Sequence, residues 1–141
     1  MTSSKRQRPA KQSPASARRA EIAAIGLRWR QFRDRHGRCF ELAYLTIADD
    51  STDPEWRLVH GSVLFRTDGR MGHAWLARGE FVYDPVLDRV FSWSLFRESH
   101  GAVERIAYTR TEAVRRASES RHSGPWVELA DDIGDCASLS T

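Results

Sequence analysis

The sequence contains little that would tie the chain together covalently or carry it into a membrane. Its 141 residues include only two cysteines, Cys39 and Cys136, 97 positions apart. That spacing fits no metal-binding pattern and no disulfide framework, so each is expected to be a free thiol. No apolar run approaches the roughly 18 residues a membrane-spanning helix needs. The N-terminus also lacks the apolar stretch and small-residue cleavage site of a secretory signal, and the expected location is the cytoplasm. Lysine is equally scarce. Lys5 and Lys11 are the only two, and every later cation is arginine.

Charge is unevenly spread. Residues 1–20 carry six cations and no acid, and setting them against the formal +3 of the whole chain leaves residues 21–141 at −3. This tail lacks aromatic and β-branched aliphatic side chains, so residues 1–19 have nothing to bury and are expected to be disordered. Such a tail is either a solvated extension or a weak electrostatic arm for an anionic partner such as nucleic acid. The remaining chain, with five Trp and six Phe, suffices for one core. A single α+β domain is expected over residues 20–128, followed by an acidic tail at 129–141.

From Glu21 to His36 apolar residues recur at helical spacing, and Gly37 is a suitable stop. A second helix is expected to begin at Cys39 and run through Phe40, Leu42, Ala43, Tyr44 and Ile47. Beyond Pro54 the pattern turns extended, with strands at 56–65, 71–77 and 80–84 separated by turns at Asp68-Gly69 and Arg78-Gly79. A short helix around Trp93, Leu95 and Phe96 and a strand at 103–108 follow. Thr109 with Glu112 three residues later forms a capping box that opens a last helix. Trp126 is expected to dock on the core.

The chemistry concentrates on three residues. A cysteine in the first turn of a helix is set for a lowered thiol pKa, and the same backbone N–H groups would stabilise an oxyanion. An Arg78-Gly79 turn places Ala77 opposite Glu80 and, as the fifth pair, His73 opposite Asp84. The two would then share one face of the sheet, with Ala74, Leu76, Phe81 and Tyr83 on the other. Cys39 as nucleophile, His73 as base and Asp84 as orienting acid is the order that activated-nucleophile catalysis requires. His36, His60, His100 and His122 have no ligand-spaced partners and are read as structural or solvated. No metal or cofactor is expected.

Cys39 at a helix start, Gly72-His73-Ala74-Trp75, and Val82-Tyr83-Asp84-Pro85 together resemble the core of transglutaminase-like proteins in the papain-like superfamily, which includes small bacterial and phage members. The resemblance covers Gly37 to about Val86. It implies a papain-like fold, with N-terminal helices packed on an antiparallel sheet and the site at the junction of the second helix and the sheet. It also implies the same three roles for Cys39, His73 and Asp84. The chain departs from the family pattern in having no glutamine a few residues before the cysteine. Gln31, eight residues upstream, is the nearest candidate for the oxyanion donor. The implied reaction is thiol attack on an amide, ester or thioester carbonyl of a peptide, protein or small substrate, followed by transfer to water or an amine. The alternatives are a non-catalytic binding module of the same fold and a nucleic-acid-associated protein led by its basic arm.

Overall fold

A computed structural model describes residues 38–64 and 69–129. The expected helix at 21–36, Gln31, Cys136, the basic tail and all of the acidic tail but Leu129 lie outside these residues. Within them three helices and five strands follow in order: α1 (Cys39–Ala48), β1 (Arg57–Leu64), β2 (Arg70–Arg78), β3 (Phe81–Asp84), β4 (Arg89–Ser92), α2 (Trp93–His100), β5 (Val103–Tyr108) and α3 (Arg110–Ser120). The strands form one antiparallel sheet in the order β4-β3-β2-β1-β5. The α+β class and the meander agree with the sequence pattern. The short β4, between Asp88 and Trp93, was not expected.

Each helix starts and stops for local reasons. α1 begins at Cys39, where Glu41 pairs with Arg38 at 2.7 Å in the first turn, and it buries Cys39, Phe40, Leu42, Ala43, Thr46 and Ile47 at spacings of one, three and four. Its end is closed from elsewhere in the chain. Arg110 donates from Nε to the Ile47 carbonyl at 2.8 Å and from Nη2 to those of Asp49, at 3.0 Å, and Thr52. These carbonyls have no partner within the helix, so Arg110 joins the last turn of α1 to the start of α3. Replacing Arg110 with Met keeps the stem and removes the donors. Stability should fall by about 2 kcal/mol in urea unfolding, with an unchanged m-value.

The Thr109 cap forms, with its hydroxyl accepting from the Glu112 amide at 3.2 Å and donating to the Glu112 carboxylate at 3.1 Å. Ser92 caps α2 in the same way through Leu95, also at 3.2 Å. At the other end of α2, Gly101 turns left-handed at φ 58°, and a side chain there would meet Leu64.

The sheet carries a core on each face. Leu58, Ala74, Leu76, Tyr83, Val90 and Tyr108 point to one side, where α1 supplies Cys39, Phe40, Ala43 and Ile47 and α3 supplies Ala113. Val59, Trp75, Val82 and Phe91 point to the other, under Phe96 of α2. Because β1 and β2 are buried on both faces, burial runs unbroken along them, without the alternation of a half-exposed strand.

The β2–β3 register differs from the expected one. Leu76 pairs with Tyr83, Ala77 with Val82 and Arg78 with Phe81, so the turn residues are Gly79 and Glu80 instead of Arg78 and Gly79. The cause is backbone conformation: Gly79 has φ +56° and Glu80 is not among the residues with positive φ. A two-residue hairpin turn with only one such residue takes it at the first central position.

Candidate functional site

The slide of register moves His73 from directly opposite Asp84 to the diagonal position, since Trp75 now lies opposite Asp84. It does not change faces, because moving a turn by one residue shifts the pairing by two. The pair therefore survives. His73 Nε2 lies 2.8 Å from Asp84 Oδ2, with His73 9 % and Asp84 1 % exposed. Asp84 also shapes the turn that follows it, as its Oδ1 accepts from the amides of Val86 at 2.9 Å and Leu87 at 3.3 Å. Both carboxylate oxygens are thus engaged and their direction is set.

Burial pushes the Asp84 carboxyl up. The charge and hydrogen bond of His73, with the Leu87 and Val86 amides, outweigh it and hold Asp84 below the ordinary carboxylate range. An ionised, immobilised carboxylate against Nε2 leaves His73 Nδ1 as the nitrogen able to take a proton from a substrate or nucleophile. This is the geometry of an oriented general base.

Cys39 heads its helix as expected but packs on the other face of the sheet from His73. It opens α1 and is buried at 1 % exposure in the core shared with Ala74, Leu76 and Tyr83. His73, Trp75 and Asp84 project from the opposite face, towards α2. The structure brings His73 and Asp84 together and does not bring Cys39 to them. Nor is Cys39 a free thiol, for it is disulfide-bonded. The only other cysteine of the chain, Cys136, lies outside the described residues. The expected site at the junction of the second helix and the sheet is corrected accordingly: the paired residues sit on the α2 side. The physical reason is that β2 is apolar on both faces, so α1 is free to cover Ala74 and Leu76 and leave His73 to the other layer.

No family model, curated protein or solved structure matches this chain.

The Cys39 side of the sheet holds a different histidine. His60 is fully buried, with ring centroids of Phe40 at 4.9 Å, Trp126 at 5.1 Å and Tyr108 at 5.3 Å, and neither of its nitrogens has a hydrogen-bond partner among the described residues. Burial alone pulls its pKa down to about 4, so it is neutral near pH 7. Trp126 docks there as expected, held by its Nε1 donating to the His122 carbonyl at 3.0 Å. An open hollow of about 300 Å³ beside Trp126, lined by Arg116, Glu119 and His122 among others, is separate from the His73–Asp84 pair.

Two residues near the pair had no functional role in the sequence reading: Arg89 was not named, and His100 was read as structural or solvated. Arg89 lies opposite Asp84 across the β3–β4 hairpin. His100 ends α2, where burial lowers its pKa and His73 and Arg89 lower it further against the opposing pull of Asp84. The signal for Arg89 was present in Asp84-Pro85-Val86-Leu87-Asp88-Arg89, a turn sequence whose exit falls opposite its entry. Among the described residues no group of three His, Cys, Asp or Glu is placed to hold a metal ion, and no helix is long and apolar enough to cross a membrane.

Proposed function

We propose that the protein is an acyl-transfer enzyme, acting on an amide, ester or thioester carbonyl, in which His73 oriented by Asp84 is the general base. The observation that carries this reading is the buried 2.8 Å contact between His73 Nε2 and Asp84 Oδ2, with the second carboxylate oxygen fixed by two backbone amides. The nucleophile in this reading is Cys39, as the family resemblance implies, and it must first be released. A dithiol reductant opens the disulfide, giving two thiols and the oxidised reductant, and the start of α1 then has to turn towards the His73 face. The base removes the thiol proton, the sulfur bonds to the carbonyl carbon, and the leaving amine, alcohol or thiol departs with a proton. Water or an amine then takes the acyl group.

The position of Cys39 supports a second reading. A disulfide-bonded cysteine on the far face of the sheet suits a non-catalytic binding module in which Cys39 is a structural cross-link.

Reaction of the reduced full chain with a p-nitrophenyl ester, followed by mass spectrometry, separates the two. The enzyme reading expects a rapid release of p-nitrophenol, an acyl adduct on Cys39, and loss of both in Cys39→Ser and His73→Ala. Turnover that persists in Cys39→Ser and vanishes in His73→Ala would replace the thiol with water as the nucleophile. No adduct and no turnover, with circular dichroism unchanged, would leave the binding module.

A further inference from the structure

The side chains around the His73–Asp84 pair close on themselves. Arg89 lies opposite Asp84 in the hairpin, with its guanidinium carbon 5.3 Å from the centre of the Phe91 ring. Phe91 meets the His100 ring at 5.2 Å, and His100 stacks on Phe96 at 4.7 Å. Phe96 meets Trp75 at 5.3 Å, Trp75 lies 6.0 Å from His73, and His73 returns to Asp84. Trp75, Phe91 and Phe96 are buried and make an apolar floor. His73, Arg89 and His100 make a basic rim, of which Arg89 is exposed and His100 half-buried.

Among the described residues Arg89 has no carboxylate of its own on this rim. Asp84 is the one acid in the circuit, and its oxygens are taken by His73 and by the amides of Val86 and Leu87. No acidic side chain among the described residues forms an ion pair with Arg89. Arg70, nearby, is engaged elsewhere. It donates to the Gly101 carbonyl at 2.8 Å and the Ser62 hydroxyl at 3.0 Å, which ties the end of α2 to the sheet and holds His100 in place. His100 Nδ1 is hydrogen-bonded with the Ser99 hydroxyl at 2.8 Å, leaving Nε2 for a ligand. The fields of Asp84, His73 and Arg89 all reach the His100 ring. A guanidinium and two imidazoles around an aromatic floor, with their one carboxylate already committed, attract an anionic oxygen group.

We propose that Arg89 and His100, with His73, form a subsite for a carboxylate or phosphate group carried by the molecule that binds at this face. The subsite extends the acyl-transfer reading by giving its substrate an anionic group, and it rests on that reading only for the nature of the reaction.

Histidine-ring nitrogen spectra of the full chain, titrated with inorganic phosphate and separately with acetate against chloride at matched ionic strength, test it. The His73 and His100 signals should move together and saturate, while those of His60 and His122 stay still. Arg89→Gln should weaken the apparent affinity about fivefold or more, with the fold unchanged by circular dichroism. Tighter saturation by phosphate assigns a phosphorylated ligand, and tighter saturation by acetate a carboxylate. Shifts at His73 and His100 no larger than at His122, or an unchanged affinity in Arg89→Gln, would overturn the subsite. Anion binding without acylation by the p-nitrophenyl ester retires the acyl-transfer reading and leaves the subsite standing. Acylation without an anion response does the reverse.

Discussion

Asp84→Asn should cut the rate of acyl transfer by about two to four orders of magnitude while leaving the chain folded. The substitution keeps the size of the side chain and an oxygen for the Val86 and Leu87 amides, so the turn after β3 has what it needs. The change falls on His73. A carboxylate accepts from Nε2–H, whereas the amide nitrogen of Asn donates, so the ring must present Nε2 as an acceptor and carry its proton on Nδ1. That is the nitrogen the mechanism needs free, and the base is lost through the wrong tautomer. The same substitution removes a charge-assisted hydrogen bond, and stability at pH 7 should fall by about 2–3 kcal/mol. The pH dependence follows from the lowered carboxyl of Asp84. A group depressed in the folded state stabilises above its unfolded pKa, near 4, and that contribution disappears as pH falls through the folded value. Unfolding free energies of wild type and Asp84→Asn should therefore converge in acid. A gap that persists undiminished at low pH would show that Asp84 is not ionised in the folded protein. Histidine-ring nitrogen shifts read the tautomer directly, and an unaltered tautomer in the variant would contradict the argument even if the rate fell.

The His73–Asp84 pair was legible in the sequence for a reason more robust than the register used to find it. The expected turn was one residue early, yet strand alternation has period two and a shift of the turn by one residue moves the pairing by two. His73 and Asp84 stayed on one face, and their side chains span the diagonal. What could have corrected the turn was Gly79, whose positive φ belongs at the first central position of the hairpin. The cap at Thr109 and the helix start at Cys39 were equally readable, since both depend on local chemistry.

The side of the sheet that α1 covers was not readable. Met71, Ala74, Trp75 and Leu76 make β2 apolar on both faces, so periodicity offers no preference, and the choice is made by the packing of Ala74, Leu76 and Tyr83 under α1. The disulfide at Cys39 was invisible for a similar reason, because a cysteine's place in the sequence does not say whether it is cross-linked. Arg89 and His100 reach the pair only through the β3–β4 hairpin and the closing turn of α2, and the sequence reading had no β4 to place Arg89 on.

His60 governs the other large expected effect, a loss of about 3 kcal/mol of stability between pH 6.5 and pH 4. The ring is enclosed by Phe40, Tyr108 and Trp126, and a Cβ at Gly124 would lie 2.6 Å from its Cε1. Protonation therefore has to place a charge among aromatic rings with no acceptor for either N–H. The folded-state pKa of about 4 lies below the usual 6.5, so between those values the unfolded chain binds a proton that the folded chain refuses. Stability is fully present above pH 6.5 and declines as pH falls, until below about 4 the folded protein takes up the proton as well. His60→Leu removes the titration and the two unpaired nitrogens together. The variant should stay within about 1.5 kcal/mol of wild type at pH 7.5, where wild-type His60 is neutral in both states. At pH 4.5 it should be the more stable of the two, because only the wild type bears the cost of keeping its ring unprotonated. Urea unfolding at a series of pH values checks this, with fluorescence following Trp126 beside the ring. Parallel pH curves for the two proteins would mean that His60 finds a partner or water in solution, and that the aromatic enclosure does not hold it neutral.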